Sequence, residues 1–204
     1  LLSRRQRQMC IRDSIINEAF RVLRTNLEFM TGKDKTSNVI IVTSFNPGSG
    51  KSFLTMNIAM SFAIKGKKVL VIDGDLRHGS ASSYIDSPDK GLSDYLGGRI
   101  DNLNEIIVSD PKRKHLDILP IGTIPPNPTE LLFDERLKQA IDAVRERYDY
   151  VLIDCPPIEL VADTQIIEKL ADRTIFVVRA GLLERSMLCL LYTSDAADDL
   201  IGVD

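Results

Sequence analysis

Short apolar runs alternate with amphipathic stretches along most of this chain. Four runs read NVIIVTS, KVLVID, YVLIDC and RTIFVVRA, and their continuous apolar character is typical of strands that are buried on both faces. The stretches between them carry apolar residues at helical spacing. This order predicts a doubly wound, mainly parallel α/β sheet with right-handed crossovers and no second domain. The predicted strands cover residues 38–44, 68–73, 150–155 and 173–180, with a weaker strand at 115–122.

The same pattern predicts the helices between these strands. The first is amphipathic, is bordered by Phe20, and has an apolar face made of Ala19, Leu23, Leu27 and Met30. The stretch IPPNPTELL opens a longer helix that we expect to continue to about Arg147. The full set of predicted helices covers residues 17–30, 51–65, 91–98, about 125–147 and 163–171.

The two ends of the chain are related through their coding DNA. The N-terminal RRQRQMCIRDS back-translates to a DNA string whose reverse complement, in another frame, encodes the C-terminal CLLYTSDAAD. Natural protein ends have no reason to share this relation, so we interpret both as translated sequencing-adapter DNA. The alternative is a basic arm and an acidic helix. We therefore expect residues 1–14 and 189–204 to be non-native, and residues 15–188 to be a domain truncated at its C-terminal side.

Charge and cysteine content exclude several classes of protein. The whole chain carries 26 basic and 29 acidic side chains, and setting the two ends aside leaves a net charge of −2. Binding to nucleic acid calls for a basic patch or a pI above about 9, so nucleic acid is not an expected partner. Cys155 is the one cysteine outside the two ends, which excludes a disulfide framework and favours a reducing compartment. No apolar run approaches the roughly 20 residues that span a bilayer.

A glycine-rich loop lies between the first predicted strand and the helix that follows it. Its sequence, SFNPGSGKS, lacks only the first glycine of the pattern G-x-x-x-x-G-K-[ST], where Phe45 stands. Glycines let backbone N–H groups wrap around phosphate oxygens, and the helix start adds a positive dipole end. Read alone, GSGKS is also typical of a turn that caps a helix. Its place after a buried strand favours a nucleotide site made of Pro47, Gly48, Ser49, Gly50, Lys51, Ser52 and Phe53.

Three aspartates stand at the carboxyl ends of predicted strands. Asp73 and Asp75 leave one strand on the same side, and Asp154 ends another. These strand ends converge on the ligand crevice of a parallel sheet, where three carboxylates near a triphosphate repel one another unless a divalent cation neutralises them. The pattern predicts Mg²⁺, with one carboxylate left to accept a proton from an incoming hydroxyl. The alternatives are a helix-capping Asp154, and structural turn aspartates paired with Arg77.

Together these motifs resemble those of the bacterial tyrosine autokinases that are linked to capsule and exopolysaccharide export. The fold of that family belongs to the same P-loop branch as the MinD and ParA ATPases. The resemblance covers essentially all of residues 15–188. Besides the phosphate loop, it rests on EAFRVLRTNL (18–27), VLVIDGDLR (69–77), GLSDYL (91–96), PPNPTELL (125–132), YDYVLIDCPP (148–157) and VVRAGLLERSML (177–188).

The resemblance assigns roles to the site residues. It implies that Lys51 binds the phosphates of ATP and that Ser52 ligates Mg²⁺. Asp73 would be the catalytic base that faces the acceptor tyrosine. Asp75 and Asp154 would hold the magnesium, directly or through water.

The resemblance also implies partners. In the family, the E-x-x-R-x-x-R segment, here Glu18, Arg21 and Arg24, makes contacts in a ring of subunits. From the residues alone, these three charges are as well explained by a solvated helix face opposite the apolar one. A membrane polysaccharide co-polymerase or activator domain, fused or separate, is the second expected partner. These expectations put the chain in the cytoplasm, at the inner face of the cell membrane.

Two other functions compete with an autokinase. One is a MinD- or ParA-like positioning ATPase, for which water is the acceptor; such proteins carry a lysine where this chain has Asn46. The other is a nucleotide-gated scaffold for polymer export. We expect the tyrosine-rich tail of the autokinases to be missing here, and Tyr84 and Tyr95 to serve in packing rather than as phosphorylation sites.

Overall fold

The computed structural model describes residues 15–31, 37–85, 88–110, 113–158 and 163–182. The two segments interpreted as adapter sequence, 1–14 and 189–204, lie outside the described residues, and so do residues 183–188 of the expected domain. The origin of the chain ends therefore stays a prediction.

Helices and strands alternate through the described part of the chain. The strands are β1 (Asn38–Ser44), β2 (Val69–Asp73), β3 (Val108–Ser109), β4 (Leu116–Leu119), β5 (Tyr150–Asp154) and β6 (Arg173–Val177). The α-helices are α1 (Ile15–Thr31), α2 (Lys51–Ile64), α3 (Leu92–Leu96), α4 (Pro128–Leu132), α5 (Glu135–Arg145) and α6 (Asp163–Glu168). Short 3₁₀ turns lie at Ser82–Ile85 and Leu103–Glu105. Among these described residues, no helix combines the length and apolar character that a bilayer span needs.

The strands form one sheet in the order β3-β4-β2-β5-β1-β6. Every pairing is parallel except that of β3 with β4. The predicted doubly wound, mainly parallel sheet is therefore confirmed. The two-residue β3 was not expected, since a strand this short has no periodic signal in the sequence.

The two faces of the sheet bury different sets of residues. Side chains alternate along a strand, so Leu70 and Ile72 join α3, α5 and α6 in one cluster. Val69, Val71 and Leu152 join α1 and α2 in the other. Continuing this alternation by one step places the last residues of β2 and β5 on the α2 side.

The helix expected from about 125 to 147 is wrong, because the structure has two helices there. Pro128 occupies the first turn of α4, where its missing N–H costs nothing. Asp134 then takes an extended conformation (φ −69°, ψ 142°), and its side chain accepts a hydrogen bond from Arg136 N at 2.8 Å. This side-chain cap competes with helix continuation and starts α5 afresh.

The buried face of α1 also differs from the expected one. Phe20 and Leu27 are buried, whereas Ala19 is exposed and Met30 is 63% exposed. The helix is turned so that Phe20, with far more apolar surface than Ala19, packs edge-on against Phe53 of α2 (ring centroids 6.4 Å apart).

Phe62 of α2 gives a direct test of this packing. It is fully buried and stacks on Tyr150 of β5 with ring centroids 3.9 Å apart. We expect Phe62→Ala to lower the free energy of unfolding by about 3–5 kcal/mol, measured by urea denaturation, because it removes apolar contacts and leaves a cavity. The control is Phe133→Ala, at a ring that is 69% exposed; similar losses for both variants would contradict the packing of α2 on β5.

Candidate active site

The phosphate loop joins β1 to α2. Gly48 (φ 73°) and Gly50 (φ 96°) both lie in the left-handed region that favours glycine. An added Cβ would meet nothing within 4 Å at either position, so backbone conformation rather than crowding requires the glycines. The hydroxyls of Ser44 and Ser49 both donate to the carbonyl of Asn46 at 2.8 Å, which ties the loop to the end of β1.

The first turn of α2 has backbone amides that make no hydrogen bond within the helix. Gly50 is the N-cap and has no side chain to cap the helix. The first bond into the helix runs from Leu54 N to Gly50 O (3.0 Å), so the amides of Lys51, Ser52 and Phe53 precede it. The start of a 14-residue helix, whose first amides point out of the helix, is a suitable place for phosphate oxygens.

Two aspartates meet at the sheet edge beside this loop. Asp73 of β2 and Asp154 of β5 are paired in register. They follow Val71 and Leu152, so they continue the face that carries α2. Their exposures are 0% and 1%. The structure thus places two of the three predicted aspartates side by side, and the charge of the third, Asp75, is near enough to raise the pKa of both.

Asp154 is buried with little compensation from the described residues. Neither carboxylate oxygen has a hydrogen-bond partner among the described residues. Burial raises the pKa of Asp154 to about 7, the Asp73 charge adds to the rise, and the nearby Ser52 hydroxyl and Lys51 ammonium offset part of it. The Ser52 hydroxyl is close enough for this effect without meeting the geometry of a hydrogen bond. The predicted alternative of a helix-capping role for Asp154 is not supported, since its oxygens cap nothing described.

Asp73 is only half satisfied. Its Oδ2 accepts hydrogen bonds from Ser82 N (2.6 Å) and Ser82 Oγ (2.7 Å), whereas its Oδ1 is buried without a partner in the described structure. Burial raises the pKa of Asp73 to about 6, against the lowering effect of the Ser82 hydrogen bonds. Ser82 was not among the predicted site residues, because nothing in GSAS distinguishes this serine before the loop is folded.

Asp75 has a different role from its neighbour. Its Oδ1 accepts from the backbone amides of Arg77 and His78, both at 3.2 Å, so it caps the turn that follows β2. The Arg77 side chain turns away from the aspartate pair, to Asp163 (3.2 Å) and Thr129 (2.9 Å). The turn role considered for Asp75 is therefore present, but the proposed Arg77 side-chain bridge to Asp73 and Asp75 is not.

These groups fit a magnesium ion whose ligands are mainly water and phosphate oxygens rather than protein side chains. Among the described residues, no three His, Cys, Asp or Glu side chains cluster closely enough to hold a metal directly. The oxygens of Asp154, which have no hydrogen-bond partner among the described residues, leave acceptor capacity near the Ser52 hydroxyl. Mg²⁺ keeps several waters and takes few carboxylates beside phosphate oxygens, so this donor set suits contact through water.

Arg179 is a second residue that sequence analysis left without a role. It follows β6, and its Nη1 donates to the carbonyl of Gly48 at 3.0 Å. The motif VVRAG contains this arginine, but no spacing rule in the sequence links it to a loop residue 131 positions away.

The charged residues of α1 do not share one face. Glu18 and Arg21 are exposed and form an ion pair at 3.3 Å. Arg24 is half-buried, and its Nη1 donates to the carbonyl of Ser61 on α2 at 3.0 Å. The expected face opposite the apolar residues is therefore wrong for Arg24, because its long side chain reaches across to the neighbouring helix.

The expected packing roles of the tyrosines agree with their surroundings. Tyr95 is 7% exposed, and the Arg136 guanidinium lies 4.9 Å from its ring centroid. Tyr84 is partly buried against the cluster under α2. Cys155 is fully buried as expected, and burial raises the pKa of its thiol well above the usual value.

Comparison with known proteins identifies the family of this chain. The profile of the AAA domain family AAA_31 matches residues 37–185. The tyrosine-protein kinase YwqD of Bacillus subtilis is 39% identical over 173 residues, which cover 84% of this chain and 72% of YwqD. The chain belongs to this tyrosine-protein kinase family within the AAA domains.

Other members of the tyrosine-protein kinase family are longer. The tyrosine-protein kinase etk of Escherichia coli K12 is 37% identical over 166 residues, but this chain spans only 22% of its length. The solved kinase domain of E. coli ETK matches with a TM-score of 0.81 and 34% identity, covering 92% of this chain and 71% of that domain.

The likeness to MinD is one of fold. The Pyrococcus horikoshii protein, solved with Mg-ADP, matches with a TM-score of 0.60 and 27% identity over 70% of this chain and 58% of MinD. The expected P-loop fold of the MinD type is thereby confirmed, while the curated tyrosine-kinase relatives carry the family assignment.

Burial of Asp154 predicts a pH-dependent stability. Its pKa of about 7 in the folded chain exceeds the ordinary value of 3.8, so stability falls as the pH rises through that window. In EDTA, raising the pH from 5 to 8 should lower the unfolding free energy of wild type by roughly 2–3 kcal/mol more than that of Asp154→Asn. Urea denaturation at both pH values measures this. The exposed Asp142→Asn is the control; parallel pH profiles for wild type and Asp154→Asn would refute the buried charge.

Proposed function

We propose that this chain is an ATP-dependent protein-tyrosine kinase domain that transfers the γ-phosphoryl group of ATP to tyrosines of a neighbouring subunit. The observation that carries the proposal is the buried Oδ1 of Asp73, which lies in register with Asp154 and has no hydrogen-bond partner among the described residues. A buried carboxylate oxygen with no partner is poised to accept a proton. The relatives named as tyrosine-protein kinases supply the acceptor, a phenol.

ATP binds through the start of α2. The left-handed glycines Gly48 and Gly50 turn backbone amides inward, and the amides of Ser52 and Phe53 extend the same cradle. Lys51, at the first helical position, extends its ammonium toward the β- and γ-phosphates. Pro47 and Ser49 complete the loop; they shape it rather than carry charge.

Magnesium would be held by the Ser52 hydroxyl, with Asp154 and Asp75 contributing through water. When bound, the ion neutralises charge on the β- and γ-phosphates. Asp154 suits this place because its oxygens have no other described partner. Asp75 contributes less directly, because its Oδ1 already accepts two backbone amides.

The transfer itself follows from the position of Asp73. The phenol oxygen forms a bond to the γ-phosphorus, the bond from that phosphorus to the β–γ bridging oxygen breaks, and ADP leaves. The phenol proton passes to Asp73 Oδ1. With a pKa of about 6, raised by burial, Asp73 is mostly ionised at neutral pH and is a stronger base than an exposed aspartate.

The partners in this proposal are copies of the same chain and a membrane protein. Glu18 and Arg21 are exposed on α1 and available to a neighbouring subunit in a ring. Arg24 acts mainly within the subunit, through Ser61. The family resemblance supports a polysaccharide co-polymerase or activator domain, fused or separate, at the inner face of the cell membrane, with capsule or exopolysaccharide synthesis as the regulated process.

The kinase proposal predicts distinct effects for two site variants. With ATP, Mg²⁺ and a glutamate–tyrosine copolymer as acceptor, Asp73→Asn should lower the rate of phosphotyrosine formation by about 100- to 10,000-fold, because no group then accepts the phenol proton. Its affinity for a fluorescent ATP analogue should change less than about threefold, whereas Lys51→Ala should weaken that affinity by tenfold or more. Asp142→Asn, on the exposed side of α5, is the activity control. Release of phosphate by wild type without phosphotyrosine would favour the ATPase alternative.

The ring contact predicts a change of assembly. Arg21→Glu replaces the Glu18–Arg21 pair by two like charges on an exposed face and should shift the protein to monomers in concentration-dependent light scattering. Lys138→Glu makes the same charge change on exposed α5 and should leave assembly unchanged. Arg24 is left intact, since its contact with Ser61 would confuse assembly with stability. An assembly that is the same in Arg21→Glu and wild type would rule out this face.

A further inference from the structure

Ser82 makes an unusually complete set of hydrogen bonds to the site. It is 2% exposed and begins the 3₁₀ turn Ser82–Ile85. Its amide and its hydroxyl both donate to Asp73 Oδ2, at 2.6 and 2.7 Å. The same hydroxyl accepts a hydrogen bond from Ile121 N at 2.9 Å. Both contacts of this hydroxyl are with buried groups.

The direction of the hydroxyl proton is fixed by chemistry. A backbone amide can only donate, so the bond from Ile121 uses a lone pair of Ser82 Oγ. The one proton of the hydroxyl is therefore committed to Asp73. Together with the Ser82 amide, it gives Oδ2 two donors and leaves Oδ1 without any among the described residues.

The segment that carries Ser82 is itself anchored. Ser93 N donates to Ile121 O at 2.9 Å, which ties the Ile121 peptide to the start of α3. Gly79, in the left-handed region at φ 58°, passes over Ile121 so closely that an added Cβ would lie 2.7 Å from the Ile121 side chain. This close passage fixes the distance between the loop after β2 and the end of β4.

We propose that Ser82 is a positioning residue that orients the Asp73 carboxylate, occupying Oδ2 so that Oδ1 faces the acceptor hydroxyl. The inference rests on the proposed function and adds a residue to it. A carboxylate can rotate about its Cβ–Cγ bond and exchange its two oxygens. Two donors on one oxygen oppose that rotation and hold the base in one orientation, and proton transfer depends on such alignment.

The role predicts a specific kinetic pattern. The side chain of Ser82 forms hydrogen bonds with Asp73 and Ile121, and none with the phosphate loop in the described structure. Loss of the hydroxyl should therefore lower kcat for tyrosine phosphorylation by about 10- to 100-fold, a part of what a general base contributes. KM for ATP should change less than about threefold.

A matched pair of variants isolates the hydroxyl. Ser82→Thr and Ser82→Val introduce side chains of nearly the same size next to Gly79. A Cβ added at Gly79 would lie 3.7 Å from the Ser82 Cβ. Only the threonine keeps the donor to Asp73 and the acceptor for Ile121. We expect kcat of the threonine variant within about threefold of wild type, and the valine variant to show the full loss. Ser82→Ala, which adds no bulk, repeats the test if the valine variant has a lowered melting temperature.

A double variant, and water as a second acceptor, distinguish failure of the Ser82 role from failure of the kinase proposal. In Asp73→Asn, adding Ser82→Val should cause no further loss of kcat. Equal kcat values for the threonine and valine variants, or a raised KM for ATP with kcat unchanged, would overturn the role of Ser82. If wild type releases phosphate from ATP but makes no phosphotyrosine, the kinase proposal fails. The threonine and valine variants, compared by kcat for ATP hydrolysis, then still test whether Ser82 positions Asp73. A wild type that binds ATP yet performs neither reaction overturns both.

Discussion

The site depends on two carboxylates buried side by side without enough partners. Asp73 and Asp154 are in register on adjacent strands, and three of their four oxygens have no hydrogen bond in the described structure. Burial raises both pKa values, and the charge of Asp73 adds to the rise at Asp154. A protein that keeps such groups carries a local cost, which cationic and hydrogen-bonding ligands can offset. The neighbouring elements place compensating groups near these two carboxylates.

Strand alternation and loop geometry place the compensating groups on one side. The last residues of β2 and β5 fall on the α2 face because Val71 and Leu152 do. The same face receives the start of α2, with Lys51 and Ser52 at its first positions. The Lys51 ammonium and the Ser52 hydroxyl therefore lie near the buried Asp154 at this edge, and the positive-φ glycines let the loop turn there.

Features with a local cause could be predicted from the sequence, and features with a tertiary cause could not. The sheet, the phosphate loop and the strand-end aspartates follow from apolar runs and glycine spacing, which act within a few residues. The break at Asp134 depends on a side-chain cap that competes with an otherwise helical pattern. The face of α1 depends on Phe20 meeting Phe53, and the role of Ser82 on its meeting Asp73 nine residues earlier. The hydrophobic periodicity of the sequence carries no information about these tertiary contacts.

Comparison with a third buried aspartate separates structural from chemical roles. Asp163 is 1% exposed, like Asp154, but its two oxygens accept from Arg77 Nε at 3.2 Å and Thr129 Oγ1 at 2.6 Å. Arg77 also donates to Thr129 at 2.9 Å, so the three side chains form a closed set that ties the turn after β2 to α4 and α6. Residue type and burial are the same as at Asp154; only the partners differ. Because an unsatisfied buried carboxylate is costly, selection for stability alone explains Asp163 but not Asp73 or Asp154. The partners missing from the described structure at those two positions support the proposal that both groups meet a ligand.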